Sequence, residues 1–79
     1  MKEKNQETLD QIFEIVFEIK SKDQINKLQR LTNSEWDSLR HVSLISAIES
    51  EFGIKLSIAE MDAISSYKYC ELLLNKKGL

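Results

Sequence analysis

Residues 34–56, SEWDSLRHVSLISAIESEFGIKL, hold one complete helix together with both of its boundaries. Asp37 is a side chain suited to accept from the free N–H groups of a helix start, which makes Ser38 the first helical position. Leu39, Val42, Ile45, Ile48 and Phe52 supply the apolar stripe of a helix over about 38–52. Gly53 then stands where a helix ends in the left-handed conformation, with Ile54 packing back near Ile48. The question left by this segment is Ser38. It is a plain helix-start residue, a nucleophile, or a place where something is attached.

Working outward, Leu9, Ile12, Phe13, Val16 and Phe17 recur at i, i+3, i+4, i+7 and i+8, one apolar face of a helix over about 6–20. Asn5 is a candidate cap, as is Thr8, whose spacing to Gln11 fits a capping box. The connection SKDQINKLQRLTNSEW, residues 21–36, is polar, and Ile25, Leu28 and Leu31 are expected to pin it to the core. A short helical turn fits within it. Connections of this length in small domains are often functional. On the other side, Ser57 and Glu60 form a capping box that opens a short helix over about 58–64, carrying Met61 and Ile64. Ser65 or Ser66 caps a last helix over about 66–75, with Tyr69, Cys70, Leu73 and Leu74 as its apolar residues and Gly78 just beyond. The expected fold is a single all-α domain over 1–79, a four-helix bundle of three long helices and one short one.

Composition agrees with that fold and excludes several others. The chain has 79 residues, 42% apolar and 30% charged, the profile of one folded domain rather than a disordered chain. No proline and only two glycines argue against a turn-rich sandwich or barrel. A net charge of −2 lacks the electrostatic footprint of a duplex-binding protein, so a helix-turn-helix DNA reader fails on charge. Cys70 is the only cysteine, which rules out an internal disulfide and a cysteine zinc site. The opening MKEKNQETLD has no apolar run of the signal-peptide kind, and no apolar run anywhere exceeds three residues. No membrane insertion is expected, and the cytoplasm is the default compartment.

Three readings of Ser38 can be weighed on chemistry. As a helix-start residue beside a cap, it belongs to a pair in which each cap is worth about 1 kcal/mol. As a nucleophile it would need His41 as base, and the i, i+3 spacing puts both on one helix face. Asp37, however, adjoins Ser38 and approaches His41 from the wrong side, and the chain offers no evident oxyanion hole. His41 reads more simply as an exposed helix residue. As an attachment point, Ser38 presents its hydroxyl where unpaired N–H groups and the positive end of the helix dipole favour an anionic group. A phosphodiester is held there at little cost, and the long preceding loop leaves the site accessible.

With these residues in place, the segment resembles an acyl carrier protein of the phosphopantetheine-binding carrier superfamily. The resemblance rests on Asp37-Ser38-Leu39 at the start of the second long helix. It continues without a gap through Val42, Leu44, Ile45, Ala47-Ile48-Glu49, Glu51-Phe52 and the Gly53-Ile54 turn. It goes on through Ser57, Glu60, Asp62 and Ile64-Ser65-Ser66. At the level of motifs it covers about residues 35–66, and in the order of helices nearly the whole chain. The resemblance implies that Ser38 carries a 4'-phosphopantetheine arm donated from coenzyme A by a phosphopantetheinyl transferase, with Asp37 and Leu39 completing the attachment motif. It implies a monomer that is not an enzyme. Such a carrier holds acyl or aminoacyl groups as thioesters. It receives them from a loading ligase or transferase and delivers them to a synthase or transferase of fatty-acid, polyketide or other specialised biosynthesis.

The pattern also departs from that family. Many carriers have Gly two residues before the Asp, where this chain has Glu35; Trp36 then intervenes and reads as a packing residue. Arg40 and His41 follow the motif where fatty-acid carriers usually show acidic or small residues. The expected partner surface is Arg40 and His41 with the acidic residues Glu49, Glu51, Glu60 and Asp62, since charge complementarity sets partner choice and on-rate. Leu39, Val42, Ile45, Phe52, Met61 and Ile64 would line the space between the second long helix and the short one, which in the family can shelter an acyl chain. A rival reading keeps the fold without the arm: an interaction module that binds a partner through those same two helices.

Overall fold

The N-terminal apolar repeat becomes helix α1, Glu3–Phe17, in the computed structural model, which describes residues 1–79. Leu9, Ile12, Phe13 and Phe17 are its buried face. The helix lies earlier than the expected 6–20, and neither expected cap is used. Lys2 is the N-cap and makes no side-chain bond. Thr8 sits inside the helix, its hydroxyl donating back to the Lys4 carbonyl at 3.0 Å. Asn5 donates its side-chain amide to the carbonyl of Leu79 at 2.8 Å, and the Lys2 N–H reaches the same oxygen at 3.1 Å. The start of α1 is thus held by the far end of the chain, a partner no local pattern reveals. Its other end closes at Glu18, which takes the left-handed conformation at φ 56° and donates its N–H to Glu14.

A short helix α2, Lys22–Asn26, is the turn expected within the connection, capped by the Ser21 hydroxyl. It makes the total five helices rather than four. Ile25 and Leu28 are buried as expected, but Leu31 is 95% exposed. The reason is backbone pairing. The Arg30 N–H donates to the Ser65 carbonyl at 2.8 Å, and Gln29 pairs with Ser66 in a single isolated bridge. Main-chain bonds therefore anchor this stretch, and Leu31 beyond them faces solvent.

Helix α3 spans Ser38–Phe52, within the expected bounds, and ends at Gly53 with φ 63°. Its buried face is His41, Leu44, Ile45 and Ile48. Leu39 and Val42, assigned to the buried stripe from sequence, are 75% and 62% exposed. Positions 41, 44, 45 and 48 form an i, i+3, i+4, i+7 face of their own, and it is this face that meets the core. Apolar counting found Ile45 and Ile48 but missed His41, which is not apolar, and Leu44, to which it preferred Leu39 and Val42. Helix α4, Ile58–Ala63, begins with the capping box of Ser57 and Glu60, and Ile64 beyond its end is buried. Helix α5, Tyr67–Lys76, is capped by Ser66 and buries Tyr67, Cys70, Leu73 and Leu74, whereas Tyr69 is only half-buried.

The core is built around aromatic rings. Phe13 stacks on Phe17 at 5.6 Å and meets Tyr67 edge-on at 5.2 Å, while Phe17 lies 4.9 Å from Trp36. Each fully buried side chain of this size contributes roughly 1.5–3 kcal/mol. Beside this cluster the Tyr67 hydroxyl donates to Asp10 and accepts from Lys22 at 2.6 Å, tying α1, α2 and α5 together. No helix is long and apolar enough to cross a membrane.

Candidate functional site at the start of α3

Asp37 is extended at φ −88°, and its Oδ1 accepts from the Arg40 N–H at 2.9 Å. Its carbonyl takes the His41 N–H, also at 2.9 Å. These bonds satisfy the later N–H groups of the first turn and leave those of Ser38 and Leu39 without intrahelical partners. Ser38 is exposed at this end. It borders an open recess of about 580 Å³ lined by Arg30, Leu31, Trp36, Asp37, Ser38, Asp62 and Ser65. Asp37, Ser38 and Leu39 thus stand together at the surface, and Asp62, expected in the partner set, joins the recess. Arg30, Leu31 and Ser65 were not anticipated. They arrive through the Arg30–Ser65 backbone bond, which has no counterpart in sequence spacing.

The turn that leads to Ser38 is anchored from below. Asn33 accepts from the Glu35 N–H with its side chain at 2.9 Å and from the Trp36 N–H with its carbonyl at 3.0 Å. Trp36 is buried, as its packing role required. Its Nε1–H donates to His41 Nδ1 at 3.0 Å, and His41 Nε2 lies 2.8 Å from the carbonyl oxygen of Met61. His41 is therefore not the exposed helix residue expected from sequence: it is 8% exposed. A buried imidazole needs partners for both nitrogens, and here both are found. With both nitrogens engaged inside the fold, the ring is not turned to Ser38 as a base.

Arg40 is also drawn inward, whereas the partner-surface reading required a free charge. Its Nη1 donates to the Val16 carbonyl near the end of α1, and Nη2 lies 3.6 Å from Glu35 and 3.8 Å from Glu18. A cation at a helix C-terminus meets unpaired carbonyls and the negative end of the dipole. Arg40 therefore fastens the start of α3 to the end of α1.

The acidic residues divide in the same way. Glu49 accepts the Leu56 N–H at 2.8 Å and so holds the turn after α3. Glu60 completes the capping box and pairs with Lys77 at 2.9 Å. The Ser57 backbone N–H first, and then Lys77, lower its pKa below the ordinary carboxylate value. Glu51 and Asp62 are exposed. The residues expected to line a space between α3 and α4 also separate: Ile45 and Ile64 are core, Phe52 and Met61 half-buried, Leu39 and Val42 outside. Cys70 is buried, and burial pushes its thiol up to about 12, so it is a packing residue.

In comparisons with known proteins, no family model, no curated protein and no solved structure matches this chain.

Proposed function

We propose that this chain is a carrier domain of the acyl-carrier type, with Ser38 as the attachment point of a 4'-phosphopantetheine arm donated from coenzyme A. One observation carries the reading: the serine of the Asp-Ser-Leu motif is the exposed first residue of α3, beside an open recess, with Asp37 as its cap. The residues fit the group. The free N–H groups of the first turn and the helix dipole favour a phosphodiester, and the recess leaves room beside the hydroxyl. The arm would supply a terminal thiol that holds an acyl or aminoacyl group as a thioester.

The chain's own residues present and deliver that arm rather than catalyse. Asp37 fixes the first turn, and Arg40 fastens it to α1. Leu39 and Val42 extend from Ser38 along the outer side of α3 as an exposed apolar strip, which suits docking by a transferase, a loading ligase or a synthase. With Arg40 and His41 engaged inside the fold, Glu51 and Asp62 are the charges of the expected partner set left free for docking. Tethering gives such a handle its value by raising effective concentration at the partner.

Intact mass after incubation with coenzyme A and a broad-specificity phosphopantetheinyl transferase tests the proposal, with Ser38→Ala alongside. The expected result is a gain of one phosphopantetheine by the wild type and none by the variant. No gain with several transferases would overturn the carrier reading. The exposed Leu39–Val42 strip would then support the unmodified interaction module.

A further inference from the structure

Trp36 and His41 flank Ser38 in sequence, and their side chains meet in the interior. An indole N–H can only donate. His41 Nδ1, 3.0 Å from Trp36 Nε1, is therefore an acceptor, and the ring proton of the neutral imidazole sits on Nε2. Nε2 faces the Met61 carbonyl at 2.8 Å, where a donor is required. One ring thus joins the turn before Ser38, α3 and α4. Helix α4 has few other ties. It contains no fully buried residue and is held otherwise by Met61, which packs partly buried against the core, by the Glu60–Lys77 pair and by Ile64 beyond its end.

We propose that His41 is a positioning residue for Ser38: a tautomer-locked bridge that couples the Ser38 turn to α4. Trp36 fixes the tautomer, and the tautomer makes the bond to Met61. Losing either bond loosens the other end. A partner that draws α4 away releases Trp36 and, with it, the turn that presents the Ser38 hydroxyl. The part concerning attachment rests on the carrier reading; the coupling itself does not.

The test uses the full chain labelled with nitrogen-15. Ring nitrogen shifts report the tautomer, and hydrogen exchange is followed at the Trp36 indole, the Arg40 amide and the α4 amides. The variants are Trp36→Phe and His41→Phe, each of which removes the bridge and keeps a ring in the core. In the wild type the proton is found on Nε2. In Trp36→Phe the ring populates both tautomers, and α4 exchange rises about tenfold, as expected for the loss of one buried hydrogen bond. His41→Phe speeds exchange at the indole and in α4 alike, while the α1 amides of Leu9 to Phe13 keep their rates. A wild-type ring protonated on Nδ1, or α4 exchange unchanged in Trp36→Phe, overturns the coupling. So does a uniform rise that includes α1. If His41→Phe does not fold, Trp36→Phe alone decides.

Transferase kinetics read the positioning role. Both variants should lower kcat with KM little changed, and unchanged rates in both would overturn it. A wild type that takes no arm would instead defeat the carrier reading and leave the coupling to the exchange data.

Discussion

At the scale of single residues, Asp37 and Ser38 have separable tasks. Asp37 is the cap, so Asp37→Ala should cost about 1 kcal/mol, measured as a lower urea midpoint. Ser38 makes no cap bond, and Ser38→Ala should leave that midpoint nearly unchanged while abolishing any modification. Cys70 offers a second check. Its thiol is 0% exposed and raised to about 12 by burial, with Glu71 adding to the effect. A thiol reagent at pH 8 should leave the folded protein unmodified and react fully in urea, because only a thiolate that can be reached is a nucleophile. The two inward-turned side chains show what residue identity leaves undetermined. Arg40 and His41 read as surface residues because charged and polar side chains usually are. The partners that hold them, the Val16 carbonyl, Trp36 and the Met61 carbonyl, are spread over three other segments.

At the scale of elements, the two long helices end alike but with different residues. Both close with a left-handed residue, Gly53 after α3 and Glu18 after α1. Nothing lies within 4 Å of a Cβ built at Gly53, so Gly53→Ala carries only the backbone cost, about 1 kcal/mol. Glu18 already bears that cost. Glu18→Gly should therefore stabilise the protein by up to about 1 kcal/mol, since the ion pair it gives up is long, at 3.8 Å, and the Glu18 carboxylate itself is exposed. Thermal unfolding of the two variants side by side should move in opposite directions. Helices whose boundaries are set by local bonds were legible in the sequence: Asp37 and Gly53 bound α3, Ser57 with Glu60 opens α4, and Ser66 opens α5. The start of α1 was not, because Leu79 holds it across the chain. The inward face of α3 was legible only in part: Ile45 and Ile48 are buried as expected, but Leu39 and Val42 fit the helical period as well as Leu44 does. The choice between them is made by what packs opposite.

At the scale of the whole molecule, alkali should be the more damaging direction of pH. The Tyr67 hydroxyl is raised above its ordinary value by burial first and then by its bond to Asp10. Burial pulls Lys22 downward, but its bonds to Asp10 and Tyr67 outweigh that and leave it raised. With Cys70, these groups hold their protons more firmly folded than unfolded. Their contribution is complete below the unfolded values and is lost as pH climbs from the thiol's ordinary 9.0 toward about 12. Urea midpoints should fall through that window, and less steeply in Cys70→Ala. Glu60 acts in the opposite sense. Its lowered value adds stability above 4.5 that disappears as acid reaches the folded carboxyl. The same core holds the chain's only tryptophan, packed on Phe17 and hydrogen-bonded to His41, two positions before Ser38. All indole emission therefore originates beside one hydroxyl. Whatever is joined to Ser38, or docks over it, can be followed as a change in the colour and intensity of that light, in a titration on unlabelled protein.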